Sequence, residues 1–150
     1  MSELRCLSLF ANVGIAEAMF SDIGVKVLIA NEIVEERARF YHEVYPDTHM
    51  ICGDITQEDI RTCIVEEAIA KKINFIIATP PCQGMSVAGN RDDKDPRNQL
   101  IFYAIDVIKR VNPDFVMLEN VPRQLTTKIR VNDEIVKIPD YIKRELENSY

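Results

Sequence analysis

The stretch Phe75-Ile76-Ile77-Ala78-Thr79-Pro80-Pro81-Cys82-Gln83 decides how the rest of the chain is read. An apolar, β-branched run is cut off by two prolines, and a cysteine follows at once. Proline removes a ladder donor, so the run reads as a buried strand that stops where a site can open. Cys82 then stands at the carboxyl end of a strand, where open α/β sheets collect ligands and catalytic groups. Read alone, the same thiol is equally well a small packed hydrophobe. Its flanks decide between the two.

Toward the N-terminus, Ile60, Ile64 and Ala68, with Val65 and Ile69 beside them, predict the helix that leads into this strand. Before it, Thr48 to Cys52 reads as a short strand ending at Gly53-Asp54. Val34, Ala38, Tyr41 and Tyr45 mark one face of an earlier helix, closed by Pro46-Asp47. Val25 to Ala30 is a strand finishing at Asn31-Glu32, and Leu4 to Phe10 is the first strand. Between these two, Ile15, Met19 and Ile23, with Ala18, recur at helical spacing and predict a helix that Gly24 ends.

Toward the C-terminus, residues 84 to 95 form a polar loop. Leu100, Ala104, Val107, Ile108 and Val111 predict a helix, and Asn112-Pro113 stops it. Asp114 to Leu118 is a fifth strand ending at Glu119-Asn120-Val121-Pro122. Strands alternating with helices imply an α/β fold with a doubly wound, mostly parallel sheet. The tail departs from this rhythm. Thr127 to Ile138 alternates around Asn132-Asp133 as a hairpin does, and Pro139 suits the first turn of a helix carrying Ile142 and Leu146. No further buried strand follows, so the sheet is expected to be truncated after its fifth strand.

A chain of 150 residues with 47% hydrophobic content suits one domain with its own core. It shows neither an apolar run of membrane-spanning length nor a signal-peptide pattern, and a cytoplasmic location is expected. Cys6, Cys52, Cys63 and Cys82 are scattered without a C-x-x-C pair, and three of them read as lying in apolar surroundings. That argues against a disulfide framework and a structural zinc site. His42 and His49 are isolated and expected at the surface, so no metal is expected. The net charge of −6 argues against a chain that holds DNA unaided, because phosphate contacts dominate affinity. Arg91, Lys94 and Arg97 gather just after Cys82, so a nucleic-acid role is local or shared with something outside this chain.

The predicted strand ends present, in order, a tight turn into a helix, Glu32, Asp54, Cys82 and Glu119. Glu32 stands where this architecture places a carboxylate on ribose hydroxyls, although a solvated helix-start acid would look the same. The first turn, Phe10-Ala11-Asn12-Val13-Gly14, is not a G-x-G-x-x-G fingerprint, and no Walker lysine is present. An adenosine-bearing ligand without a pyrophosphate fits better, which favours S-adenosylmethionine over NAD.

These motifs resemble, in family order, those of the cytosine-5 DNA methyltransferases. Ser8 to Gly14 is similar to the first cofactor motif, and Asn31-Glu32 and Gly53-Asp54-Ile55 to the second and third. Pro81-Cys82-Gln83 resembles the nucleophile motif, Asp95 to Leu100 the next, and Glu119-Asn120-Val121 the sixth. Asn12 stands where the family usually has glycine, and asparagine tolerates a left-handed backbone better than most residues. Thr79-Pro80 replaces the more usual Gly-Phe.

The resemblance implies a Rossmann-like, S-adenosylmethionine-dependent methyltransferase fold and the first part of a catalytic domain. The family's target-recognition domain and C-terminal motifs are absent from residues 1–150. It further implies methyl transfer to carbon-5 of a flipped cytosine in double-stranded DNA, in a bacterial restriction-modification setting, with this chain alone inactive. Cys82 would add to carbon-6 of the ring, and Glu119 would bind the base. Phe10, Ala11, Asn12, Val13, Gly14, Glu32, Ile33, Asp54, Ile55, Pro81 and Leu100 would surround the cofactor. Gln83, Ser86, Arg91 and Arg97 would contact DNA. Two alternatives share these motifs: a tRNA cytosine-5 methyltransferase, and a non-catalytic cofactor-binding subunit of a split enzyme. A methyltransferase acting on amino groups would carry an aromatic residue in place of Cys82.

Overall fold

Short apolar runs separated by helices pair in parallel, and each crossover helix then covers a face of the sheet. The computed structural model describes residues 3–81, 99–119, 125–132 and 134–150 and follows that rule. The elements are β1 (Leu4–Leu9), β2 (Val25–Glu32), α1 (Glu35–Val44), β3 (His49–Cys52), α2 (Glu58–Ala70) and β4 (Phe75–Ala78). They continue with α3 (Leu100–Val111), β5 (Phe115–Leu118), β6 (Lys128–Val131), β7 (Glu134–Lys137) and α4 (Ile138–Leu146). The first five strands form one sheet in the order β3-β2-β1-β4-β5, with every neighbouring pair parallel. The chain winds outward from β1 to β3 and then returns to place β4 on the other side of β1. The switch point therefore lies between β1 and β4.

Alternation along β1 sends its side chains to two cores. Leu7 and Leu9 join Ile29, Ile76 and Ala78 in the main core, which α2 and α3 cover with Ile64, Ala68, Ala104, Val107 and Ile108. Cys6 turns to the opposite face, with Val25, Ile77, Phe20 and Phe75. The tail behaves as its pattern predicts. β6 and β7 form an antiparallel hairpin, and Asn132 takes the left-handed conformation (φ 54°) at its turn. Ile138, Tyr141 and Leu146 of α4 extend the main core, with Tyr141 edge-on to Phe102 of α3.

One expected element is absent. Residues 15–23 form successive i to i+3 turns and a single 3-10 turn, Ser21–Ile23, rather than an α-helix. Ile15, Met19 and Ile23, the expected apolar stripe, are 78%, 66% and 71% exposed. So short a helix is marginal unless tertiary packing supports it. Here the inward-facing residues are instead Phe20, whose ring meets that of Phe75 at a tilt with centroids 6.0 Å apart, and Glu17. Phe115 and Met117 of the edge strand β5, in register with Phe75 and Ile77, are exposed on the same face of the sheet.

Smaller corrections have the same cause. Ile69 of α2 points to solvent, and Val34 stands at the start of α1 as its N-cap rather than in its buried face. Cys52 and Cys63 are exposed, and Cys6 is buried. Desolvation pushes the Cys6 thiol up to about 12, so it is unreactive near neutral pH. His42 and His49 lie at the surface as expected. No helix among the described residues is long and apolar enough to cross a membrane, and no group of three metal-ligating side chains occurs among them.

Candidate functional site

The carboxyl ends of β1, β2, β3 and β4 converge on a cavity of about 250 Å³ beside the switch point, where ligands bind in open α/β sheets. Its walls include Phe10, Asn12, Glu32, Ile33, Asp54, Ile55, Pro81 and Leu100, which the sequence nominated. Asn31, Arg37, Gly53 and Thr79 also line it and were not among the nominated residues. Ala11 and Gly14 are buried behind this wall, and Val13 is partly covered; none of the three lines the cavity. A wider groove of about 680 Å³ lies between α1 and β3, but it flanks a single strand.

The loop after β1 owes its shape to unusual backbone and several pins. Phe10 and Asn12 both take positive φ (60° and 53°), and Gly14 follows at 82°. Asparagine accommodates this, whereas for a bulky aromatic residue it is strained and persists only where the surroundings enforce it. Those surroundings are present. The Thr79 hydroxyl donates to the Phe10 carbonyl at 3.1 Å, and the Ala11 N–H donates to the Asn31 carbonyl at 2.9 Å. Thr79, which replaces the family's usual glycine, thus ties the end of β4 to the end of β1. Neither the strain at Phe10 nor its tether is visible in a one-dimensional pattern.

Glu32 ends β2 and is only 4% exposed, yet it borders the cavity. One carboxylate oxygen accepts the Asn12 N–H at 2.9 Å and the other accepts the Val34 N–H at 2.9 Å. Arg37 approaches the second oxygen at 3.9 Å. An ionised carboxylate offers about four acceptor sites, so capacity remains toward the cavity. Glu32 therefore joins the two readings its position allowed: it supports the start of α1 and also faces a ligand-sized space. Asn31, also buried, donates from its side-chain amide to the carbonyls of Ile51 and Gly53 and fastens the end of β3.

Asp54 sits on the loop after β3, where its Oδ1 accepts the Thr56 N–H at 2.9 Å. That loop is anchored from behind by Arg61 of α2, a residue the periodicity reading passed over. One Arg61 guanidinium nitrogen donates to the carbonyls of Ile55 and Thr56, both at 2.8 Å, and Nε donates to Asp106 of α3 at 3.0 Å. Glu58 pairs with it as well, and this hydrogen bond holds the Glu58 carboxyl below the usual range. The planar fork suits this task better than an ammonium. Arg61→Leu leaves two carbonyls without their donor, and a loss of about 2–3 kcal/mol is expected from the urea unfolding curve. Arg61→Lys restores charge without the fork and should recover only part of that loss; full recovery would show that charge alone matters.

Glu119 follows β5 and is exposed. Its N–H donates to the Ala78 carbonyl at 3.1 Å, so β4 and β5 remain paired up to the last residue of β4. Cys82, Gln83, Ser86, Arg91 and Arg97 lie outside the described residues. Pro81, which directly precedes Cys82, forms part of the cavity wall.

Residues 4–140 match the family model for C-5 cytosine-specific DNA methylases. The chain is 37% identical to the type II methyltransferase M1.HgaI of Avibacterium volantium over 149 residues, which are 96% of this chain and 42% of that protein. It is 34% identical to the type II methyltransferase M.FnuDI of Fusobacterium nucleatum, covering 98% of this chain and 39% of that protein. Its fold matches that of a solved Spodoptera frugiperda DNMT2 variant with a TM-score of 0.70 at 20% identity, over 97% of this chain and 41% of that one. The chain thus spans less than half the length of the relatives it matches. Over that span, the order of its motifs, its α/β fold and its sequence agree, and the chain belongs to the C-5 cytosine-specific DNA methylase family.

Proposed function

We propose that this chain is the cofactor-binding and nucleophile-bearing part of a DNA cytosine-5 methyltransferase of a bacterial restriction-modification system. In this reading it works on double-stranded DNA together with the remainder that its longer relatives carry. The observation that supports it most directly is a juxtaposition: Glu32 and Asp54 face the same cavity as Pro81, the residue that leads into Cys82. The exposed apolar side chains along β5 and over residues 15–23 agree with a fold that further polypeptide covers.

The cavity suits S-adenosylmethionine in its chemistry. Glu32 offers acceptors for the ribose hydroxyls and Asp54 for an adenine amino group, while Phe10, Ile33, Ile55 and Leu100 supply apolar walls for the base. When bound, this cofactor supplies the methyl group as an electrophile. The chain's own part is nucleophilic and electrostatic. The Cys82 thiolate adds to carbon-6 of the flipped cytosine, which makes carbon-5 electron-rich, and Glu119 holds the base edge while charge shifts. After transfer, loss of the carbon-5 proton expels the thiolate and restores the ring. Gln83, Ser86, Arg91 and Arg97 are assigned to DNA contacts near that base.

Calorimetry on this chain tests the cofactor site. Glu32→Ala should weaken S-adenosylmethionine binding by about 1.5–3 kcal/mol, the scale of hydrogen bonds to a charged group, or roughly 10- to 150-fold. Unchanged affinity would remove Glu32 from the site.

A further inference from the structure

Glu17 lies on the turn after Gly14 and is 2% exposed. Both of its carboxyl oxygens are enclosed without a partner at hydrogen-bonding geometry, and so is the Tyr41 hydroxyl. An ionised carboxylate in such a place is costly without a cation, and none among the described residues pairs with it. The groups that face it are the hydroxyls of Ser8 on β1 and Tyr41 on α1. The Cys6 thiol of β1 and the Tyr45 phenol beyond α1 lie close enough for Glu17 to influence them. Lys26 of β2 and Asp47 border the adjoining cavity of about 200 Å³.

This cluster lies directly beneath the loop after β1. Ser8 is two residues before Phe10. The Tyr41 ring lies 3.0 Å from the point where a side chain on Gly14 would begin, and the Tyr45 hydroxyl donates to the Gly14 carbonyl at 2.8 Å. The Tyr41 and Tyr45 rings contact each other, with centroids 4.8 Å apart. The carboxyl is therefore enclosed between β1 and α1, beside the two tyrosines that brace the loop.

We propose that Glu17 is a positioning residue that works as a neutral acid, bridging Ser8 and Tyr41 and holding the loop Phe10–Gly14 in its left-handed conformation. Its consequence for cofactor binding rests on the proposed role of that loop, but its effect on the loop does not. Burial raises the Glu17 carboxyl above its ordinary range, which agrees with a proton retained there in the folded chain. The sign of the resulting pH dependence follows. Stability is fully present below the ordinary carboxylate range and is lost as pH rises through the folded-state value. Within that window the unfolding constant grows by up to about tenfold per pH unit.

The test uses this chain, with unfolding measured across pH and amide exchange followed at Asn12 and Gly14. The wild-type chain is expected to lose stability and loop protection as pH rises above the ordinary carboxylate range. Glu17→Gln, which keeps a donor and an acceptor but cannot ionise, should flatten that slope. Identical slopes for the two chains overturn the proposal, as does a wild-type slope that leaves loop exchange unchanged. Should Glu17→Gln fail to fold, Tyr41→Phe tests the bridge from its other end: exchange in the loop should quicken about fivefold at acidic pH, the scale of one hydrogen bond, and unchanged exchange overturns the proposal. S-adenosylmethionine titrations over the same range separate the two readings. A wild-type chain that binds none at any pH defeats the cofactor assignment alone, since the exchange data judge Glu17 independently.

Discussion

Cys82→Ser is expected to bring methyl transfer down to background, a loss on the order of 10⁴-fold or more, as when other enzymes lose their nucleophile. The reason is protonation. A thiol near its ordinary pKa of about 8.5 is partly thiolate at neutral pH, whereas a serine hydroxyl is not ionised there. The experiment needs the complete enzyme, this chain joined by the portion that its relatives carry beyond the matched region. DNA with 5-fluorocytosine at the target should trap the wild-type enzyme covalently, because fluorine cannot leave as a proton does, and should not trap the variant. S-adenosylmethionine affinity should be equal in both, which separates a chemical defect from a folding defect. Equal trapping by Cys82→Ser would move the nucleophile elsewhere.

Gly14→Ala is expected to cost about 2–5 kcal/mol of stability, as the sum of two penalties. A side chain at φ +82° is strained by about 1–2 kcal/mol, and overpacking adds about 1–3. The second penalty is specific to this place, since the new methyl would lie 2.2 Å from the Tyr45 ring and 3.0 Å from the Tyr41 ring. Gly24 provides the control. It has nearly the same backbone (φ 77°) but nothing within 4 Å of its missing side chain, so Gly24→Ala should incur the strain alone. Urea unfolding of the two variants should therefore separate them by the packing penalty. Equal losses would mean that the two tyrosines move aside without resistance.

Much of the fold is legible because the strands advertise themselves twice, by a short apolar run and by the polar or proline-rich residues that end it. Val25–Glu32, Phe75–Ala78 and Phe115–Leu118 all carry both signals, and parallel pairing follows from the helices between them. The same strand ends carry Glu32 and Asp54, so the sequence alone points to two walls of the cavity. What misled was periodicity without a surface to receive it. Ile15, Met19 and Ile23 repeat at helical spacing, yet burial needs an opposing face, and the described residues provide none.

The sequence by itself determined the order of the strands and of the four helices α1 to α4, the residues that stand at the strand ends, and the chemistry those residue types bring. Only the tertiary structure decided the contacts between positions far apart in the chain. It set the Thr79 tether that holds Phe10, the Arg61 fork behind the Asp54 loop, and the Glu17 carboxyl enclosed between β1 and α1. The physical reason is the range of the interactions. A strand or a turn is dictated by neighbouring residues, while a buried hydrogen bond takes its meaning from the groups that the completed sheet brings to meet it.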